Sequence, residues 1–322
     1  MLLKKQVWKQ VRAGFPIQKH FIALGTYNSI TAFGHADEKT LEEATDRVIA
    51  LDQKLSVFRQ DSEIAMLSRT AGQGLQQISP DTFFILKHAA ALSKASAGAF
   101  DVTLRPVIQL WGIGKKGNFI PEITQIRSLL QLVDYNDILL DETHCSAALA
   151  RPGQAIDLGG IAKGYAADEV LRILLSGGVH SALVNLGGNI VVIGTRPDGQ
   201  PWQIGVQNPL APRGEFFAKL AVKDKTVVTS ACNERFFVKD GILYHHILDP
   251  KTGMPAKNGL LSVTAVCDRS IDADALTTAV FVLGPDKGTE LLRDFGAQAV
   301  FVTDKNQIFA TDGLAGALVS LL

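Results

Sequence analysis

Apolar positions recur along this chain at two different periods. From Phe21 to Phe33 the pattern is extended, with Gly25 interrupting it. Further on, Leu41, Ala44, Val48, Leu51 and Leu55 fall on one helical face, predicting a helix over 40–56. Thr40 and Glu43 are spaced as a capping box at its start. Ser79-Pro80 reads as an N-cap and first helical position, opening a helix to about Ser96, and Pro121 opens a third to about Leu132. Residues 154–158 read as a short strand stopped by Gly159-Gly160, followed by a helix over about 161–175 that ends at Gly177-Gly178. The runs 183–186, 190–193, 202–206, 217–222, 226–229 and 261–266 read as strands. Helices near 272–283 and 286–295, divided by Gly284-Pro285, and a strand over 299–303 complete the pattern. Strands do not alternate regularly with helices, and there is no internal repeat. The pattern predicts an α+β fold with mixed sheets and flanking helices, rather than a doubly wound sheet.

Composition narrows the function classes. Of 322 residues, 47% are hydrophobic and 20% charged, the balance of a globular protein with a large core, expected to divide into two lobes. Lys plus Arg equals Asp plus Glu, 32 against 32, so no bulk basic face is expected to grip nucleic acid. No apolar run is long enough for a transmembrane helix. Cys145, Cys232 and Cys267 are far apart and odd in number, which argues against a disulfide or zinc framework. Lys4, Lys5, Lys9, Arg12 and Lys19 make residues 1–20 a basic arm without an acid, ahead of a domain over 21–322. The bland reading of that arm is a solvated segment; the sharper one is a contact with a membrane surface or a partner. No secretory h-region follows its basic start, so a cytoplasmic location is expected for the chain as given, and a periplasmic or membrane-anchored one if a leader has been trimmed.

Five segments carry candidate chemistry. Gly112-Ile113-Gly114-Lys115-Lys116-Gly117 matches a dinucleotide pattern, but Asn118 to Pro121 follow it where a helix should open, so it reads as a plain loop. Asp157 to Tyr165 contains Gly159-Gly160 and then Lys163 at a helix start. Free amides and a lysine there attract phosphate, and glycine lets a carbonyl approach a ligand; a simple turn with a solvated lysine is an equal alternative. Asn185 to Asn189, with Gly187-Gly188, reads as a hairpin turn. His245 and His246 stand before the turn-forming Asp249-Pro250-Lys251-Thr252-Gly253, where one imidazole could face a cleft and move protons. Asp274 and Thr278 are four apart on one helical face and could both reach a hard cation, although either Asp272 or Asp274 could simply be an N-cap.

Read in order, these blocks resemble the ApbE family of FAD:protein FMN transferases, from about Leu24 to about Gly313. Leu24-Gly25-Thr26, Leu55-Ser56-Val57-Phe58 with Ser62-Glu63-Ile64, and Gly98 to Thr103 with Pro106 and Trp111-Gly112 follow the family order. So do Asp157 to Tyr165, His246 to Pro255, and Asp274 to Thr278. The resemblance implies two lobes enclosing an FAD cleft, with FAD as substrate and Mg2+ as cofactor. It implies that Phe58 stacks on the adenine and that Leu24, Asp101, Lys163 and Ile247 contact FAD. The plain alternatives for these are core packing for Phe58, Leu24 and Ile247, and turn capping or solvation for Asp101 and Lys163. It implies a metal held by the Gly160 carbonyl, Asp274 and Thr278, assisted by the Thr277 carbonyl, with His246 as the catalytic histidine. The implied reaction moves FMN from FAD to a Thr or Ser hydroxyl of a partner flavoprotein and releases AMP. The alternatives are FAD hydrolysis to FMN and AMP, and a non-catalytic FAD-binding protein. Leu24 replaces the family's usual Met, Ala231 stands where Gly is usual, and the family's lipoprotein signal is missing.

Overall fold

Two residues at positive φ, Leu24 (+54°) and Gly25 (+69°), turn the chain back on itself between β1 (Ile17–Ala23) and β2 (Thr26–Ala32). This two-residue loop matches the twist of the strands it joins. The computed structural model describes residues 16–34, 36–114 and 117–320. The basic arm over 1–15 therefore lies outside the described residues. Residues 17–20, assigned to the same arm, belong to β1, where Lys19 pairs with Glu38 and Glu42 at 3.1 and 3.2 Å.

Helix α1 (Glu38–Leu55) buries Leu41, Ala44, Val48, Leu51 and Leu55, the five positions its periodicity marks. It begins two residues before the expected start. Asp37, not Thr40, is the cap, accepting the Thr40 amide at 2.7 Å; a carboxylate beside the helix N-terminus meets both its free amides and its dipole. Helix α2 (Glu63–Arg69) is capped by Ser62, and α3 (Pro80–Ala95) by Ser79 with Pro80 at its first position. Strand β3 (Gln76–Gln77) lies between them. Helix α4 (Arg105–Trp111) ends at Gly112 in the left-handed conformation, so the glycine-rich segment after it follows a helix; Lys115 and Lys116 lie outside the described residues. Helix α5 (Ile123–Leu130) starts later than Pro121 because Glu122 and Gln125 form the capping box. Strand β5 (Ser146–Leu149) pairs with β3 on one side and β4 (Ile138–Asp141) on the other in a small sheet.

The expected strand over 154–158 is not one. Only Ala155 bridges, in parallel, to Leu104, and the Asp157 amide donates to the Val102 carbonyl at 2.8 Å. The segment is extended against a loop that has no ladder to offer it.

Helix α6 (Ala162–Ser176) follows, then β6 (Ala182–Leu186), β7 (Asn189–Ile193), β8 (Trp202–Gln207), β9 (Phe216–Val222), β10 (Thr226–Ala231), β11 (Phe236–Lys239) and β12 (Ile242–His245). Strand β13 (Leu260–Cys267), α7 (Ser270–Leu283), α8 (Pro285–Asp294), β14 (Gln298–Thr303), β15 (Ile308–Ala310) and β16 (Leu318–Ser320) complete the chain.

An antiparallel eight-stranded sheet, ordered β1-β2-β6-β7-β10-β13-β14-β15, is the centre. Its strands bury both faces. On β13 and β14, Val263, Ala265, Ala299 and Phe301 join the main core with α1, α6 and α7. Val266, Val300 and Val302 point the other way, onto Trp202, Ile204 and Leu220 of the β16-β9-β8 sheet. The fold is thus α+β, with helices on one face of a sheet and a second sheet on the other. A third cluster, from Val107, Trp111, Ile126, Phe237 and Leu248, packs α4 and α5 against the β11–β12 hairpin.

Candidate active site

The site is built where α6 meets α7. A Cβ on Gly164 would lie 2.3 Å from the Ser270 carbonyl oxygen, so only glycine allows this approach. Asp168, one turn further along α6, accepts the Ser270 and Ile271 amides at 2.7 and 3.0 Å. It caps α7 from outside, where Arg269 at the N-cap position makes no side-chain cap bond. Neither Asp272 nor Asp274 is therefore needed as a cap. Asp272 pairs with His88 at 2.6 Å.

Asp274 is buried. Its Oδ2 accepts the Gly164 amide at 2.9 Å and its Oδ1 faces Lys163 Nζ at 3.3 Å. Lys163 also donates to the Gly159 carbonyl at 2.9 Å, so it is not a solvated lysine. The neighbouring Gly160 lies against Thr278: an added Cβ would sit 3.3 Å from Thr278 Oγ1 and 3.2 Å from the Phe100 ring. Thr277 is buried, donating to the Asp274 carbonyl at 2.9 Å and accepting from Ser230 Oγ at 2.9 Å. Its side chain braces the helix behind Asp274.

These residues fit a hard cation. Among the described residues no three His, Cys, Asp or Glu side chains converge on a common metal position. What the joint offers is one buried carboxylate, one hydroxyl and the backbone of a glycine whose missing side chain leaves the approach open. An ammonium group already bridges a carbonyl and that carboxylate. Oxygen donors of this kind, incomplete by themselves, suit Mg2+ that takes its remaining ligands from water and substrate phosphate.

The two histidines separate cleanly. His245 is buried, with Nδ1 accepting the Ile247 amide at 3.3 Å and Nε2 donating to the Ala256 carbonyl at 3.0 Å. Burial keeps it neutral, and its ring lies edge-on to Phe281; it is structural. His246 is partly open. Its Nδ1 faces the Arg235 carbonyl at 3.3 Å, and a carbonyl can only accept, so Nδ1 carries the hydrogen and Nε2 keeps its lone pair. Burial, then the charges of Arg235 and Lys163, push its pKa down to about 4. His246 is therefore a neutral acceptor at pH 7, close enough to Lys163 to feel its charge. The turn after it is held by Asp249, which accepts the Lys251 amide at 2.9 Å, and by Trp111 Nε1 donating to the Gly253 carbonyl at 2.7 Å.

The remaining expected residues divide. Phe58 is 68% exposed, so it is not a core residue; the Arg105 guanidinium lies 5.3 Å from its ring centroid. Asp101 uses both oxygens locally, Oδ1 on the amide and hydroxyl of Thr103 and Oδ2 on the Tyr135 amide, and burial raises its pKa against those bonds. Leu24 and Ile247 pack into the main core and supply shape. Arg105 and Asp157 are the residues that sequence reasoning passed over. They pair at 2.9 Å, and Asp157 Oδ1 takes the Gly159 amide at 2.9 Å. A lone arginine within the apolar run Val102 to Val107 was the available signal.

The family model described as the ApbE family matches residues 24–301. A FAD:protein FMN transferase of Klebsiella pneumoniae (strain 342) is 36% identical over 288 residues, covering 89% of either chain. One from Treponema pallidum (strain Nichols) is 33% identical over 311 residues, 91% of this chain and 86% of its own. Among solved structures, the ApbE protein of Thermotoga maritima superposes with a TM-score of 0.85 at 30% identity, covering 93% of this chain and 98% of its own. The flavin transferase ApbE from Vibrio cholerae superposes with a TM-score of 0.84 at 26% identity, covering 94% and 99%.

Proposed function

Because this chain belongs to the ApbE family and is a transferase, we propose that it moves the FMN moiety of FAD onto a Thr or Ser hydroxyl of a partner flavoprotein and releases AMP. The acceptor oxygen attacks the phosphorus on the FMN side of the pyrophosphate. The bond from that phosphorus to the AMP oxygen breaks, and the hydroxyl proton passes to Nε2 of His246. The observation that carries this reading is the His246 ring anchored by Nδ1 on the Arg235 carbonyl, within the field of a Lys163 that itself pairs with the buried Asp274 carboxylate. General-base assistance of this kind is worth about 100- to 10,000-fold.

The residues to hold Mg2+ are Asp274, Thr278 and the Gly160 carbonyl, with the Thr277 carbonyl assisting. An ion held by them would supply charge neutralisation to the pyrophosphate. Lys163 supplies a second positive charge to the same phosphates. Phe58 offers a flat apolar face to the adenine. Asp101, fixed by Thr103 and Tyr135, shapes the loop that opens toward FAD, and Leu24 and Ile247 line its apolar surroundings.

The test mixes the protein, FAD, Mg2+ and a flavoprotein acceptor domain and weighs the acceptor. A gain equal to one FMN residue is the expected result. AMP released at the same rate without acceptor would assign the site to hydrolysis instead, and intact FAD after long incubation would make it a flavin-binding protein.

A further inference from the structure

We propose that Lys163 is a place-holder at the cation site: it yields Asp274 Oδ1 to a divalent ion and only then turns its ammonium to the diphosphate. This rests on the reading of the α6–α7 joint as a Mg2+ site.

The two oxygens of Asp274 are not equivalent. Oδ2 is fixed by the Gly164 amide at 2.9 Å, inside a joint too close for any side chain on Gly164. Oδ1 is the oxygen that can change partners, and Lys163 Nζ faces it at 3.3 Å. The carboxylate side chain is 6% exposed and the lysine 25%, so the lysine has a way out and the carboxylate does not. The other anchor of the ammonium is the Gly159 carbonyl at 2.9 Å, one residue before the glycine read as a metal ligand. Lys163 thus draws on one carboxylate and one backbone carbonyl, the donor types a hard cation takes.

Its own helix does not favour it there. Lys163 is the second residue of α6, at the positive end of the helix dipole, where a cation is destabilised. The charge of Asp274 offsets that. Once a divalent ion shares Oδ1, the lysine loses this compensation and meets like-charge repulsion at close range. Asp157, the other carboxylate at the turn, is already engaged by Arg105 and by the Gly159 amide, each at 2.9 Å. The flexible four-carbon stem lets the ammonium leave, and a diphosphate drawn to the same helix N-terminus offers it the opposite charge. Substrate that arrives before the ion meets a lysine still engaged.

Thermal unfolding of the full chain across a Mg2+ titration, without flavin, tests this with Lys163→Met and Lys163→Arg. In chelator, Lys163→Met is expected to melt below the wild type because the ion pair is gone. In excess Mg2+ the gap should close, since the wild type has then given up the same pair. By the same linkage, calorimetry should show Mg2+ binding Lys163→Met about 3- to 10-fold more tightly than the wild type. Lys163→Arg keeps the competing charge and should bind Mg2+ no more tightly than the wild type. The sign discriminates, because loss of a lysine that only braced the joint would weaken Mg2+ binding or leave it unchanged. Wild-type crystals grown in chelator and soaked in Mg2+ should show Nζ turned away from Oδ1. Equal or weaker Mg2+ binding in Lys163→Met, equal gains in both variants, or an ammonium still on Oδ1 beside the bound ion overturns the exchange and leaves the cation reading intact. A wild-type chain that takes up no Mg2+ overturns that reading, and this assignment with it.

Discussion

The backbone amide of Gly164 donates to Asp274 Oδ2 at 2.9 Å, across a gap between α6 and α7 that no side chain could share. The approach of the two helices and the placing of the carboxylate are therefore one event. Gly164→Ala would force a methyl to within 2.3 Å of the Ser270 carbonyl oxygen. It is expected to cost about 3 kcal/mol, at the upper end of ordinary overpacking. Thermal unfolding measures the cost, and a Mg2+ titration of the folded variant should show weakened binding. A variant with wild-type stability would mean the helices separate freely.

Asp274→Asn keeps an acceptor for the Gly164 amide but removes the charge opposite Lys163. Transfer is expected to fall at least about 100-fold, since the metal supplies several kcal/mol of charge stabilisation. A chelator should silence the wild-type protein to the same degree. Added Mg2+ should restore the wild type and not the variant, with circular dichroism showing the variant folded.

His246→Gln is expected to slow transfer by about 100- to 10,000-fold. In the wild type, the acid limb of the rate profile should follow a pKa of about 4, so activity is full at pH 6 and above as far as this group decides it. Stability has its own sign. The free histidine pKa of 6.5 is depressed in the folded state, so between pH 6.5 and about 4 the unfolded chain binds a proton that the folded chain refuses. Acidification through that window therefore destabilises the fold, and His245, depressed in the same direction, adds to it. Denaturant midpoints at pH 7 and pH 5 should differ less in His246→Gln than in the wild type.

Asp168→Ala leaves the Ser270 and Ile271 amides without their acceptor at the start of α7. The expected loss is about 1–2 kcal/mol, the scale of a lost N-cap. Asp168→Asn is the useful control, because Asn retains a cap acceptor. Equal melting temperatures for the alanine and asparagine forms would argue against capping.

Much of this site could be read before any coordinates. The four-residue spacing of Asp274 and Thr278, the Gly-Gly turn before Lys163 and the paired histidines were visible because each is a local pattern on one element. Periodicity also marked the buried face of α1 and most strands of the central sheet, since their apolar runs are long. Legibility failed where the partner is remote in sequence. Nothing near Arg269 indicates that α7 is capped from α6, 102 residues earlier. The exposure of Phe58 could not be told from its place after an amphipathic helix, and neither could its contact with a guanidinium from α4. The short strands β3, β4, β5, β11, β12, β15 and β16 passed unnoticed for a related reason: a few residues carry too little alternation, and only pairing defines them. The family resemblance already pointed to His246 rather than His245; what only the fold shows is that both ring nitrogens of His245 are engaged while Nε2 of His246 has no such bond among the described residues.

The helix joint also governs how the molecule comes into being. Gly164 and Asp274 are 110 residues apart, so a growing chain carries Phe58, Gly160 and Lys163 long before it has a carboxylate to set beside them. One edge of the central sheet is likewise left to its last strands, β14 and β15, while the other edge, β1–β2, is a local hairpin. Contacts of such separation are slow to close and form after the loops between them have been ordered. On the proposed reading, FAD and Mg2+ would stabilise only the finished protein, by mass action on a site that a fragment ending before Thr278 would lack.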